Sequence, residues 1–112
     1  MTNDALWSLM PDGTRVRGQV DEAILDAAKA EGVTAVICNR PDNEDPGQPT
    51  AEMVKQWAEA RGMAFIFAPV SGGNFTNDAV DSMKVALAEN QGSLLAYCRT
   101  GNRSSNLWKL VQ

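Results

Sequence analysis

The chain contains no histidine. That absence excludes a Ser-His-Asp triad, a Cys-His pair and any histidine-ligated zinc or iron site. Cysteine is scarce too: Cys38 and Cys98 are the only two, too few for a disulfide framework or a zinc site on their own. No apolar run approaches the roughly 18 residues of a membrane span, and no signal-peptide pattern is read at the start. With so little cysteine, the expected location is the reducing cytoplasm. Positive charge is also short, 10 Lys and Arg against 14 Asp and Glu for a net charge of −4. This argues against a general nucleic-acid binder or a binder of anionic membranes. Any anion site must therefore be built locally. What is present, 112 residues with 44% apolar and 21% charged content, is the composition of one soluble globular domain over 1–112.

An enzyme without imidazole has to activate its nucleophile with dipoles and cations, and one segment supplies both. The apolar run Ser93-Leu94-Leu95-Ala96-Tyr97 leads into Cys98-Arg99-Thr100-Gly101-Asn102-Arg103-Ser104. A strand delivers a cysteine, a short loop with one glycine follows, and an arginine opens a helix. Backbone N–H groups of such a loop and helix N-terminus point at an anion, and the helix dipole favours negative charge there. The same field lowers a thiol pKa and keeps a nucleophilic thiolate at neutral pH. Arg103 offers a planar fork for a tetrahedral oxyanion. Cys98 and Arg103 are thus the candidate catalytic residues, and Arg99, Thr100, Gly101, Asn102 and Ser104 the candidate anion-binding ones. Ser104 either donates a hydrogen bond to the thiolate or simply begins the helix. No metal site and no cofactor are expected.

Along the chain, Ala5–Met10 and Thr14–Gly18 read as a hairpin turning at Pro11-Asp12-Gly13. Asp21 caps a helix through Glu31, with Ala23, Ile24, Ala27, Ala28 and Ala30 inward, and Gly32 stops it. Val33–Cys38 is a strand apolar enough to be buried on both faces. The long loop Asn39–Pro49 carries three prolines and cannot be regular. Thr50 caps a helix placing Met53, Val54, Trp57 and Ala58 at helical spacing, and Met63–Ala68 follows as a strand. Thr76 or Asn77 caps a helix carrying Ala79, Val80, Met83, Val85, Ala86 and Leu87. The strand before Cys98 and a last helix with Leu107, Trp108, Leu110 and Val111 complete the chain. This alternation predicts a single α/β domain, a mostly parallel sheet of about four to five strands flanked by helices. Ligands bind outside the carboxyl ends of such strands. Cys98, Cys38-Asn39-Arg40 and the Ala68–Ser71 segment all lie there.

The Cys98 loop resembles the active-site loops of cysteine-dependent phosphatases and of rhodanese sulfurtransferases. Three further stretches narrow this together with Tyr97 through Ser104: Gly18-Gln19, Val36 through Glu44, and Pro46-Gly47-Gln48-Pro49. Together they resemble the beta-lactamase hydrolase-like phosphatase domain family, which has a dual-specificity-phosphatase-like fold and is also labelled a sulfur transferase family. The resemblance covers roughly residues 12–112. It implies a thiolate on Cys98, an anion cradle from residues 99–104 and Arg103 as oxyanion clamp. Family members occur beside, or fused to, metallo-hydrolase-type domains that handle persulfides.

Three features bear on the reaction. Arg99, Thr100, Gly101 and Asn102 separate Cys98 from Arg103. The interval in the phosphatases is one residue longer, and the tighter, rhodanese-like cradle favours a smaller electrophile such as sulfane sulfur. Phosphate-ester cleavage with a poor leaving group needs a general acid. The Pro69–Phe75 loop contains none and Asp78 reads as part of a helix N-terminus, so Asp42 and Glu44 are the candidates. Tyr97 stands where many such phosphatases carry histidine. The expectation is therefore a sulfurtransferase working through a Cys98 persulfide. The alternative is a phosphatase working through phosphocysteine, and the third reading a non-catalytic anion-binding module. The expected partner is a small anionic or sulfane-sulfur substrate, or a phosphorylated one. Cys38 reads as a core residue rather than a thiol that resolves Cys98, Arg40 as a partner of the nearby acids, and Asp42 to Asp45 as a solvated loop rather than a cation site. Oligomeric state is not legible.

Overall fold

A computed structural model describes residues 6–112. Within them the chain forms β1 (Ser8–Leu9), β2 (Arg15–Arg17), α1 (Glu22–Ala30), β3 (Ala35–Cys38), α2 (Ala51–Ala60), β4 (Ala64–Phe67), α3 (Asn77–Glu89), β5 (Leu94–Tyr97) and α4 (Asn102–Leu110). The sheet order is β1-β2-β5-β3-β4. Only β1 runs antiparallel to its neighbour; β2, β5, β3 and β4 are parallel. This is the predicted α/β architecture. Of the expected hairpin, Ala5 lies outside the described residues, and the rest pairs Ser8 with Val16 and Leu9 with Arg15.

The helices begin where side chains can satisfy their open N–H groups. Asp21 accepts from Ile24 N, Thr50 from Met53 N and Thr76 from Ala79 N. The central strands β3 and β5 are buried along their whole length, because helices cover both sheet faces. Ile24, Leu25 and Ala28 of α1 and Val54 and Ala58 of α2 pack with Val36, Leu95 and Tyr97 on one face. Ala79, Met83 and Ala86 of α3 and Leu107 of α4 pack with Ala35, Ile37, Leu94 and Ala96 on the other. The edge strand β4 is only half-buried.

Some inward assignments change. In α1 the buried stripe runs through 24, 25 and 28, which takes in Leu25 and leaves Ala23 and Ala30 exposed. In α3 the stripe is 79, 83 and 86, so Val85, rotated well off that line, is 55% exposed. Met53 and Leu110 are also exposed, whereas Trp7 and Trp108 are buried. Trp108 Nε1 donates to Asp12 Oδ2 at 3.2 Å, tying α4 to the β1–β2 turn.

Candidate active site

β5 ends at the carboxyl edge of the sheet and hands the chain directly to Cys98, whose N–H continues the β2–β5 pairing by donating to Arg17 O at 3.3 Å. The loop then turns at Gly101, which has φ +97°, a left-handed conformation that glycine tolerates and that reverses the backbone so its N–H faces the sulfur. Gly101 N donates to Cys98 Sγ at 3.0 Å. Gly101 is also the N-cap of α4, with no side chain closing the helix end. The open first turn is turned onto the Cys98 sulfur instead.

Burial pushes the Cys98 thiol up. The N–H groups of Ser104, Thr100 and Gly101 and the Ser104 hydroxyl outweigh that cost, so the thiol lies below its ordinary pKa. Donors converging on one buried sulfur favour the thiolate and, equally, an anion beside it.

Arg103 is tied down from outside the loop. Its Nη1 donates to Glu44 Oε2 at 2.7 Å and to Val70 O at 2.6 Å, and its Nη2 to Glu44 Oε1 at 2.8 Å. Glu44 thus takes the end of the fork, while the guanidinium also meets the Cys98 sulfur. Arg40 buttresses the acids: Nε reaches Glu44 Oε1 at 3.2 Å, Nη2 reaches Asp45 Oδ2 at 2.7 Å and Nη1 reaches Gln19 Oε1 at 2.9 Å. The pairing of Arg40 with the loop acids is as the sequence suggested.

Glu44 therefore differs from its sequence role as a candidate acid. The Arg103 hydrogen bond, with a further one from Arg40, outweighs burial and holds its carboxyl below the usual range, so it is an ionised acceptor, not a proton donor. Asp42 Oδ1 accepts from Ala51 N at 2.8 Å at the start of α2. A group whose folded pKa is depressed contributes stability that is complete above its unfolded pKa and is lost as pH falls through the folded value. Between about pH 5 and pH 3, the wild-type melting temperature is expected to fall more steeply than that of Glu44→Gln, as read by thermal denaturation at each pH.

Three of the remaining site candidates, Arg99, Thr100 and Asn102, occupy the rim. Arg99 is exposed and pairs through Nε with Asp45 Oδ2 at 3.0 Å. Thr100 and Asn102 are exposed, whereas Gly101 and Ser104 are buried. With Trp7, Met10, Arg17 and Ser105, the exposed pair lines a groove of about 540 Å³ on the β1–β2 side of the loop.

Cys38 faces a different environment. It pairs in register with Tyr97 and sits in the core with Val36 and Leu95. Burial pushes its thiol up to about 11, against the opposing effect of the Tyr97 hydroxyl, and the thiol donates to Arg40 O at 3.3 Å. It is a protonated core thiol, which agrees with its core reading. Tyr97, standing where many such phosphatases carry histidine, is buried with its hydroxyl beside Cys38 and Gln19 at the strand end beneath the loop.

Two supporting residues were named in the sequence only as members of longer stretches, with no role of their own. Asn39, fully buried, accepts from Ser104 Oγ at 2.8 Å through Oδ1. Its sequence signals were its place at a strand end and within the Val36–Glu44 stretch. Gly18 lies under the loop, and a Cβ there would stand 2.7 Å from Arg99 O. Its backbone oxygen neighbour cannot give way without moving the cradle. Gly18→Ala is expected to cost about 1–3 kcal/mol in urea denaturation, with a loss of thiolate reactivity.

Comparison with known proteins gives a consistent picture. The family described as "Beta-lactamase hydrolase-like protein, phosphatase-like domain" matches residues 7–112. A beta-lactamase hydrolase-like protein of Agrobacterium fabrum is 36% identical over 95 residues, covering 85% of this chain and 22% of that protein. One from Xylella fastidiosa is 34% identical over 81 residues, covering 72% and 19%. The chain thus spans about a fifth of the length of these relatives. Among solved structures, a candidate phosphatase of Neisseria meningitidis superposes with a TM-score of 0.80 at 32% identity, covering 93% of this chain and 73% of that one. The core catalytic domain of a PP-IP phosphatase from S. cerevisiae shares the fold, with a TM-score of 0.66 at 12% identity over 91% of this chain and 61% of that one. The matched family is described as phosphatase-like, and both of these solved structures are described as phosphatases.

Proposed function

Because the chain belongs to the beta-lactamase hydrolase-like, phosphatase-like domain family, we propose that it is a cysteine-dependent phosphohydrolase working through a Cys98 phosphocysteine. One observation carries the reading: the buried Cys98 sulfur accepts from Gly101 N at 3.0 Å at the uncapped start of α4, with Arg103 one residue into that helix. Cys98 Sγ attacks phosphorus, the S–P bond forms and the bond from phosphorus to the leaving oxygen breaks. Loop N–H groups and Arg103 take up charge on the phosphoryl oxygens. Water then attacks phosphorus, the S–P bond breaks, and thiolate, phosphate and a proton are released.

Glu44 is an ionised acceptor and Asp42 Oδ1 is engaged by α2, so the leaving group departs without a proton from either. Substrates whose leaving groups are weakly basic, such as aryl or acyl phosphates and phosphoanhydrides, fit this arrangement. The expected result is a rate of first-step chemistry that falls steeply as leaving-group pKa rises along a series of aryl phosphates. A flat dependence would mean that an acid acts.

A second reading is favoured by one specific feature, the short interval of Arg99 through Asn102. In it Cys98 Sγ attacks the outer sulfur of thiosulfate, the S–S bond breaks, sulfite leaves, and Cys98 persulfide passes its sulfur to cyanide as thiocyanate. Parallel assays with an aryl phosphate and with thiosulfate plus cyanide separate the two. Cys98-dependent phosphate release supports the phosphohydrolase. Cys98-dependent thiocyanate without phosphate release replaces it with the sulfurtransferase.

A further inference from the structure

Asn39 is a buried polar residue in contact with the site through a single hydroxyl. It follows β3 directly and is fully buried, and all its polar groups are engaged. Its backbone N–H donates to Tyr97 O at 2.8 Å and its carbonyl accepts from Val70 N at 2.9 Å. Nδ2 donates to Ala68 O at 2.9 Å. That bond fixes the amide's orientation, so Oδ1 must face the Ser104 hydroxyl, 2.8 Å away. Asn39 thereby joins the ends of β3, β4 and β5 at the floor of the cradle.

Ser104 has one hydroxyl proton and two acceptors within reach, Asn39 Oδ1 and the Cys98 sulfur. One O–H cannot serve both at full strength. We propose that Asn39 is a positioning residue that gives the Ser104 hydroxyl a second resting place. The hydroxyl lies on Asn39 Oδ1 while Cys98 is bonded to the transferred group, and swings to Cys98 Sγ as the thiolate is expelled. Asn39 thus tempers how far Ser104 stabilises the resting thiolate. A thiolate stabilised too far is a poorer nucleophile. The proposal rests on Cys98 being the thiolate nucleophile of the proposed function, but it is read by alkylation rather than turnover. Its failure is therefore distinguishable from a failure of that function.

The charged groups around Cys98 are few. Arg103 from α4 meets the sulfur, and Glu44, from the loop after β3, binds that arginine from behind. Arg17 of β2 touches Cys98 through its backbone oxygen alone; its guanidinium is spent on the carbonyls of Leu6, Gly18 and Gln19. Arg99 turns to Asp45. None of these groups bonds to Asn39, so its influence on the sulfur runs through Ser104.

The test is the pH dependence of iodoacetamide alkylation of Cys98, confirmed by mass, in the full chain. Ser104→Ala is expected to raise the thiol pKa by about one pKa unit, the scale of one hydrogen bond to a charged group. Asn39→Leu, which removes the competing acceptor, is expected to lower it by a similar amount and to slow alkylation of the fully ionised thiolate about threefold. In the Ser104→Ala background the same Asn39→Leu change is expected to move the pKa by almost nothing, because the residue acts through Ser104. A merely structural role gives the opposite sign, since a loosened cradle raises the pKa. The proposal is overturned if Asn39→Leu raises the pKa, or shifts it equally in both backgrounds. Asn39→Ala is the smaller change should leucine disrupt the fold. Ser104→Ala with an unchanged pKa overturns the proposal without any Asn39 variant.

Discussion

Cys98→Ser is expected to reduce turnover by roughly 10⁴-fold or more, the scale on which loss of a covalent nucleophile acts. The substitution is nearly isosteric in a fully buried position, so the cradle should survive it. What is lost is the charge. The N–H groups of Ser104, Thr100 and Gly101 bring the Cys98 thiol below its ordinary pKa against the cost of burial, and so favour the sulfur anion. A serine hydroxyl, far less acidic, would remain neutral under the same field, and with no histidine in the chain there is no imidazole to take its proton. Serine in place of cysteine should therefore still bind phosphate or sulfate, with little change in affinity, while releasing no product. Isothermal titration with the anion, beside steady-state kinetics, checks both halves.

Arg103 is expected to have the next largest effect. Arg103→Lys should lower kcat/KM by roughly 10²–10³-fold, comparable to losing a preorganised oxyanion donor. Charge is retained, so the effect reads geometry. The guanidinium holds two acceptors in place at once, Glu44 through both Nη atoms and Val70 O through one, and also stands beside Cys98. An ammonium is a point charge without that fork and cannot face both sides. Stability should suffer much less than rate, because Arg40 still holds Glu44. Measuring kcat and KM separately, with a urea curve for each variant, separates the two effects.

Much of this site was legible from residue order. A strand, a cysteine, one glycine and an arginine at a helix start can be read as a thiolate cradle, and the elements fall where capping by Asp21, Thr50 and Thr76 and the central apolar strands put them. The sequence could not show that Glu44 would fold back onto Arg103. The two residues are 59 apart in the chain, and a loop acid has the same local signature whether it donates a proton or clamps an arginine. That one contact changes Glu44 from a candidate acid into an ionised brace. Asn39 was hidden for a similar reason. A polar residue after a strand looks like the start of a turn until three strand ends close around it. Val85 shows the same limit in the core, where the orientation of α3 against the sheet decides which apolar residues are inward. The reaction itself is where local reading and kinship part most, since a loop shorter by one residue points to sulfur while the family and the shared fold are phosphatase-like.

The central claim is that the transferred group passes through the Cys98 sulfur. Intact-protein mass spectrometry of the enzyme, rapidly quenched during turnover of an aryl phosphate, tests it most directly. The account predicts a species heavier by one phosphoryl group, mapped to the peptide carrying Cys98 and missing from Cys98→Ser. An unmodified Cys98 throughout turnover, with phosphate still released by Cys98→Ser at the wild-type rate, would contradict it.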